Sequence, residues 1–140
     1  NNKIRLYQNL KIEIYYSTSS DETPPQLTVV DGVYSKAEGR VSVKVGAVDS
    51  SGIRTVVITY IVDERQSTGA IQSQRLQFDP VSQKWVGTFV GNGNSRFTVQ
   101  VVDEAGNVTV ANNKGAEYRP ALVTTLPTSE HKLYLPVVLQ

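Results

Sequence analysis

The sequence predicts an all-β fold, an antiparallel sandwich of about seven strands, on three observations. Short apolar runs rich in Val, Ile, Thr and Tyr alternate with polar residues at a period of two. Gly, Asn, Ser and Pro cluster between those runs, where chain reversals fall. No window sustains a helical period over several turns. A chain of 140 residues is long enough for one domain with its own core and too short for two ordinary ones.

Taken in order, the opening alternates cleanly. Ile4, Leu6, Leu10, Ile12, Ile14 and Tyr16 share one phase, and Lys3, Arg5, Asn9, Lys11 and Glu13 share the other. One long strand keeps the apolar phase intact, and its apolar face is expected to be buried against this sandwich, a preceding domain or another chain. Residues 1–18 are therefore read as an N-terminal strand, either the end of a preceding domain or an addition to this one. Residues 19–25 are a polar linker closed by Pro24 and Pro25, which stop any strand. Residues 26–118 form the sandwich. Its expected strands are Leu27–Val33, Val41–Ala47, Ile53–Val62, Arg75–Asp79, Lys84–Val90, Phe97–Val101 and Val108–Ala111. Ile53–Val62 is apolar on both faces and so belongs at the centre of a sheet. Turns are expected at Asp49–Gly52, Pro80–Gln83, Gly91–Asn94 and Glu104–Asn107, the third rich in residues that tolerate positive φ. Residues 119–140 form an extended tail, in which Pro136 limits Leu133–Leu139 to an edge strand or a docked segment. The expected core is Val43, Val45, Ile58, Tyr60, Leu76, Trp85, Phe89, Phe97, Val99 and Val101, with the tail's Leu133, Leu135 and Val137 at least partly covered.

Two segments repeat one pattern. Val45-x-Ala47-Val48-Asp49-x-x-Gly52 matches Val99-x-Val101-Val102-Asp103-x-x-Gly106, and the second continues as Asn107-Val108-Thr109. This doubled pattern, followed by Ile53–Tyr60, resembles bacterial immunoglobulin-like domains, and the resemblance covers roughly residues 22–118. It implies an immunoglobulin-like sandwich. Fibronectin type III domains carry a similar penultimate strand with a tyrosine near its start. Phe97 stands at that place and has no hydroxyl, so the tyrosine-corner hydrogen bond is not available. The opening Arg5-Leu6-Tyr7-x-Asn9-Leu10-Lys11-Ile12-Glu13-Ile14 is similar to a strand beside the catalytic regions of secreted gingipain-like cysteine peptidase precursors. Leu133-Tyr134-Leu135-Pro136-Val137-Val138 is similar to the C-terminal ends of some exported bacterial proteins. Neither short match carries over an active residue.

Composition removes several function classes. A net charge of +1 with no basic block gives nucleic acid or an anionic membrane nothing to hold. No run is long enough to cross a bilayer as a helix. Without cysteine there is neither a disulfide nor thiolate chemistry. His131 is the only histidine and stands in the polar tail between Glu130 and Lys132, with no nucleophile-elbow motif elsewhere. No catalytic residue is assigned.

The residues that stand out sit at strand ends. Asp49, Gly52, Asp103, Gly106 and Asn107 are read as structural turn residues. The carboxylates accept backbone N–H bonds while the glycines reverse the chain. A calcium site at Asp49 and Asp103, joined by Asp31, Asp63 or Glu104, is the competing reading. Calcium takes roughly six to eight oxygens, and no local acidic cluster supplies them, so no metal or other cofactor is expected. Asn107-Val108-Thr109 fits a glycosylation sequon, but an Asn in a tight turn accounts for it. Trp85 shares a phase with Gly87 and Phe89 and is read as a packing residue. The tyrosines are scattered along the chain, which leaves a sugar-binding platform as the minority reading.

The expected function is a non-catalytic accessory or spacer module of a larger secreted or cell-surface bacterial protein, attached for example to a peptidase. An adhesion or carbohydrate-binding module is the alternative. Partners are then other domains of the parent chain, or a surface protein or glycan, in an extracellular setting.

Overall fold

The computed structural model describes residues 12–14, 16–63 and 70–123. The described chain is all-β, with nine strands: β1 (Gln26–Ser35), β2 (Arg40–Val48), β3 (Ile53–Ile61), β4 (Gln72–Arg75), β5 (Gln77–Asp79), β6 (Lys84–Val90), β7 (Arg96–Asp103), β8 (Val108–Ala111) and β9 (Ala121–Val123). One sheet has the order β5-β6-β2-β1-β9, the other β4-β3-β7-β8. Every pairing is antiparallel except β1 with β9, where Val33, Tyr34 and Ser35 run parallel to Ala121, Leu122 and Val123.

Alternation decides which side chains meet. On β2, Val41, Val43 and Val45 are buried while Ser42 and Lys44 face water. On β7, Phe97, Val99 and Val101 point inward. β3 lies between β4 and β7, a central position consistent with its two apolar faces. The expected core assembles there, joined by Val41 and Val56, with Tyr60 stacked on Phe89 at 4.0 Å between ring centroids. Trp85 differs from the rest, since it packs against this cluster while staying partly exposed.

The run Arg75–Asp79 is two strands rather than one. β4 pairs with β3 in one sheet and β5 with β6 in the other, so the chain changes sheet at Leu76. Leu76 is 2% exposed, and its N–H donates to the Val56 carbonyl at 2.9 Å. Gly87 makes room for it, because a Cβ at that position would stand 2.6 Å from Leu76 Cδ2. Across the sandwich, Gly32 of β1 leaves space for the Phe97 ring, which a Cβ would meet at 2.8 Å.

The reversal at Gly91–Asn94 forms as expected and uses no positive φ, although its residues tolerate it. Side chains shape it instead. Asn92 Oδ1 accepts from the Asn94 N–H, and the buried Ser95 hydroxyl accepts from the Asn92 N–H and donates to the Val62 carbonyl. That turn and the 36–39 turn share one pole, joined by the Gly91 N–H to the Gly39 carbonyl. The Asp49–Gly52, Pro80–Gln83 and Asp103–Asn107 turns share the other.

Of the three coverings expected for the N-terminal apolar face, this sandwich does not provide one at Ile12 and Ile14. Residues 12–14 and 16–25 carry no strand, and Ile12 and Ile14 are 72% and 82% exposed. Glu13, from the opposite phase, reaches the sandwich and pairs with Arg75 of β4. An edge arginine gives the polar phase its partner. Ile4, Leu6 and Leu10, like Leu133, Leu135 and Val137, lie outside the described residues. β9 falls within the segment read as an extended tail and extends the first sheet.

Candidate functional site

The doubled sequence pattern becomes two matching turns at one pole. In each, the Gly N–H donates to the Asp carbonyl three residues back at 3.3 Å, and Gly52 and Gly106 both have φ of +93°. An L side chain is strained at that angle, so glycine is required by backbone geometry. The two turns are joined, since the Glu104 N–H donates to the Gly52 carbonyl at 3.1 Å.

Each aspartate serves its own turn. Asp49 Oδ1 accepts from the Ser51 N–H at 2.8 Å and from the Ser51 hydroxyl at 2.7 Å. Asp103 is fully buried; its Oδ1 accepts from the Asn107 N–H at 2.8 Å and its Oδ2 from Asn107 Nδ2 at 2.9 Å. Asn107 does more than turn the chain. Its Nδ2 also donates to the carbonyls of Asp21 at 2.9 Å and Thr23 at 3.2 Å, which fastens the incoming linker to the pole. The Thr109 hydroxyl donates to the Pro25 carbonyl at 2.6 Å, and Pro25 is buried. With its amide nitrogen so engaged, Asn107 is unavailable to a glycan in the folded chain.

Sequence reasoning missed Asp21, which lies in the linker. Its Oδ1 accepts from the Thr23 N–H and its Oδ2 from the Ser50 hydroxyl, so the linker also grips the first turn. Those two bonds, the Thr23 N–H foremost, hold the Asp21 carboxyl below the ordinary carboxylate range. One signal was present. Ser17, Ser19, Asp21 and Thr23 alternate, and each of the first three accepts from the N–H two residues on, a staircase of side-chain turns.

Asp21, Asp49 and Asp103 bring one carboxylate oxygen each within 4.8 Å of one another. Asp31, Asp63 and Glu104 do not belong to this group. Most oxygens of the trio already accept protein hydrogen bonds, and one oxygen from each carboxylate would supply about half of the roughly six to eight that calcium takes.

A cleft of about 600 Å³ opens beside the same pole. Phe78 of β5 and Trp85 of β6 are register partners, with ring centroids 5.5 Å apart and planes at 59°. Ala47, Val48 and Ile53 form a wall, and Thr28, Asp49, Gln83 and Lys84 supply polar groups. A smaller depression of about 440 Å³ lies over the outer face of the other sheet, between Val57, Gln100 and the Glu13–Arg75 pair.

No family model and no curated protein matches the chain. Among solved structures, a crystal structure of a carbohydrate-binding module family 56 β-1,3-glucan binding domain is similar, with a TM-score of 0.43 and 15% identity, over 61% of this chain and 92% of that one.

Proposed function

We propose that this chain is a non-catalytic spacer or accessory module of a larger exported bacterial protein, built to hold its neighbours at opposite ends. The observation that carries the reading is the path of the chain. β1 begins at the pole of the aspartate turns, beside Val48, and runs to the far pole, where Ser35 pairs with Arg40. β9 lies parallel to β1 and leaves toward that far pole. The approach is fastened by Asn107, Thr109 and Ser50, and the departure by the β1·β9 ladder. A module tied down at both ends transmits orientation instead of hinging.

The strand order supports an immunoglobulin or fibronectin type III sandwich, since one sheet gathers β1, β2, β5 and β6 and the other β3, β4, β7 and β8. Asp49, Asp103 and Asn107 act in this reading as turn and fastening residues. The partners are the flanking domains of an extracellular or cell-surface parent, which on the N-terminal resemblance includes a peptidase.

The orientation claim is tested with paired spin labels. The chain has no cysteine, so Ser19→Cys and Val81→Cys give two unique sites on the linker and the sandwich. A narrow distance distribution that broadens in Asn107→Ala is expected. A broad distribution in the unaltered background would refute a fixed linker. Peptidase, esterase and glycosidase screens are expected to be blank, and activity lost in His131→Ala would overturn the non-catalytic reading.

A further inference from the structure

We infer that the cleft beside the Phe78–Trp85 pair is a binding site for a pyranose-containing saccharide. The inference is independent of the spacer reading, because it rests on surface chemistry and not on the path of the chain.

Both rings belong to the inward phase of their strands, as the register with the buried β2 residues shows: Val45 pairs with Trp85, and Trp85 with Phe78. Inward aromatics are normally covered. Here the sandwich gapes at the edge strand β5, which leaves Phe78 47% exposed and Trp85 partly so. Two rings tilted by 59° form an open angle, not a stacked pair that covers its own faces. A sugar ring in its chair form presents an apolar C–H face, which suits an aromatic face with its negative quadrupole. Its edge carries hydroxyls that must each donate and accept.

The polar groups around the cleft are of both kinds and are not exhausted by the protein. Lys84 and Thr28 supply donors and form no ion pair or hydrogen bond among the described side chains. Gln83 Nε2 donates to the Pro80 carbonyl, which leaves its Oε1 as an acceptor. Asp49 commits Oδ1 to Ser51, and its Oδ2 is the second acceptor. Gly46 has the outward phase, opposite Val45, and a Cβ there would stand 2.5 Å from Thr28 Oγ1 and 2.9 Å from Lys84 Nζ, so these two donors gather over the outer face of β2 and reach the cleft at its edge. Apolar floor, mixed donor and acceptor rim, and a volume within the roughly 300–1,000 Å³ of small-ligand clefts together describe a sugar site. A proline-rich peptide would use the aromatics but leave this rim unpaired, and is therefore the disfavoured occupant.

Trp85 is the chain's one tryptophan, so its fluorescence reports on one place, the cleft and the core against which the ring packs. Short soluble oligomers of glucose, xylose, mannose and N-acetylglucosamine are titrated in turn, with a proline-rich peptide as a parallel arm. At least one oligosaccharide is expected to give a saturable shift in emission. Phe78→Ala and Lys84→Ala, both at exposed or half-exposed positions, are expected to weaken that binding by about tenfold or more with an unchanged melting curve. Three results would overturn the site: no response to any sugar, a sugar response unaltered by both substitutions, or saturation by the peptide alone. Trp85→Ala is avoided as the primary variant because Trp85 also packs on the core.

Discussion

At the residue scale, Asn107 is the hub of the linker pole. It is the hydrogen-bond partner of the buried Asp103 carboxylate and the fastening of the linker backbone. Asn107→Ala removes one partner of a buried charge, which costs about 1.5–3 kcal/mol for a bond to a charged group. Urea denaturation is expected to show that loss, whereas Asp31→Ala, on an exposed position of β1, is expected to leave the midpoint nearly unchanged. A second expectation concerns metal. Because the trio's oxygens are largely committed to turn N–H and hydroxyl groups, the melting temperature should be the same in calcium and in chelator. A calcium-dependent rise would reassign Asp21, Asp49 and Asp103 as ligands by linkage. The third expectation concerns acid. Asp21, through Thr23 and Ser50, and Asp79, through the Ser82 hydroxyl and the Val81 N–H, both titrate lower in the folded chain than the usual carboxylate. Their contribution is complete above the unfolded pKa near about 3.9 and is lost as pH falls through the folded value. Stability should therefore decline below about pH 4, and the Asp21→Asn, Asp79→Asn double variant should decline less steeply there.

At the scale of elements, the change of sheet at Leu76 closes one side of the sandwich. Leu76→Ala leaves a cavity where β4 and β5 diverge, and a loss of about 2–5 kcal/mol is expected. Val99→Ala, on the central face of β7, should cost about 1–3 kcal/mol by the same mechanism. Equal midpoints for parent and variants would mean that neither side chain supports the core. Much of this was legible beforehand. β6 and β8 have the ends expected of them because turn residues bracket each apolar run on both sides. The break at Leu76 was not legible, since a strand that stays in one sheet and a pair that changes sheets share the same alternation. The union of Asp21 with Asp49 and Asp103 was hidden for another reason. It joins a linker to two turns far along the chain, and no local period encodes such a contact. The covering of the Ile12–Tyr16 phase was not legible, because alternation specifies which residues share a face, not which surface that face meets.

At the scale of the whole molecule, the β1·β9 pair has a mechanical consequence. Tension applied through the linker pulls β1 toward one pole, while tension through the segment after Val123 pulls β9 toward the other. Parallel neighbours dragged in opposite directions are loaded in shear, and their bonds must fail together. Pulling from Lys36 and Val123, which lie at the same pole, would instead peel the strands apart one pair at a time. Handles at Ser19 and Val123 are therefore expected to give a higher rupture force than handles at Lys36 and Val123, because forced unfolding reads the barrier to opening and not the equilibrium stability. Equal forces would mean that the parallel ladder bears no load. A sandwich that resists along the line from its linker pole to the end of β9, and yields when the two ends at one pole are drawn apart, is mechanically anisotropic.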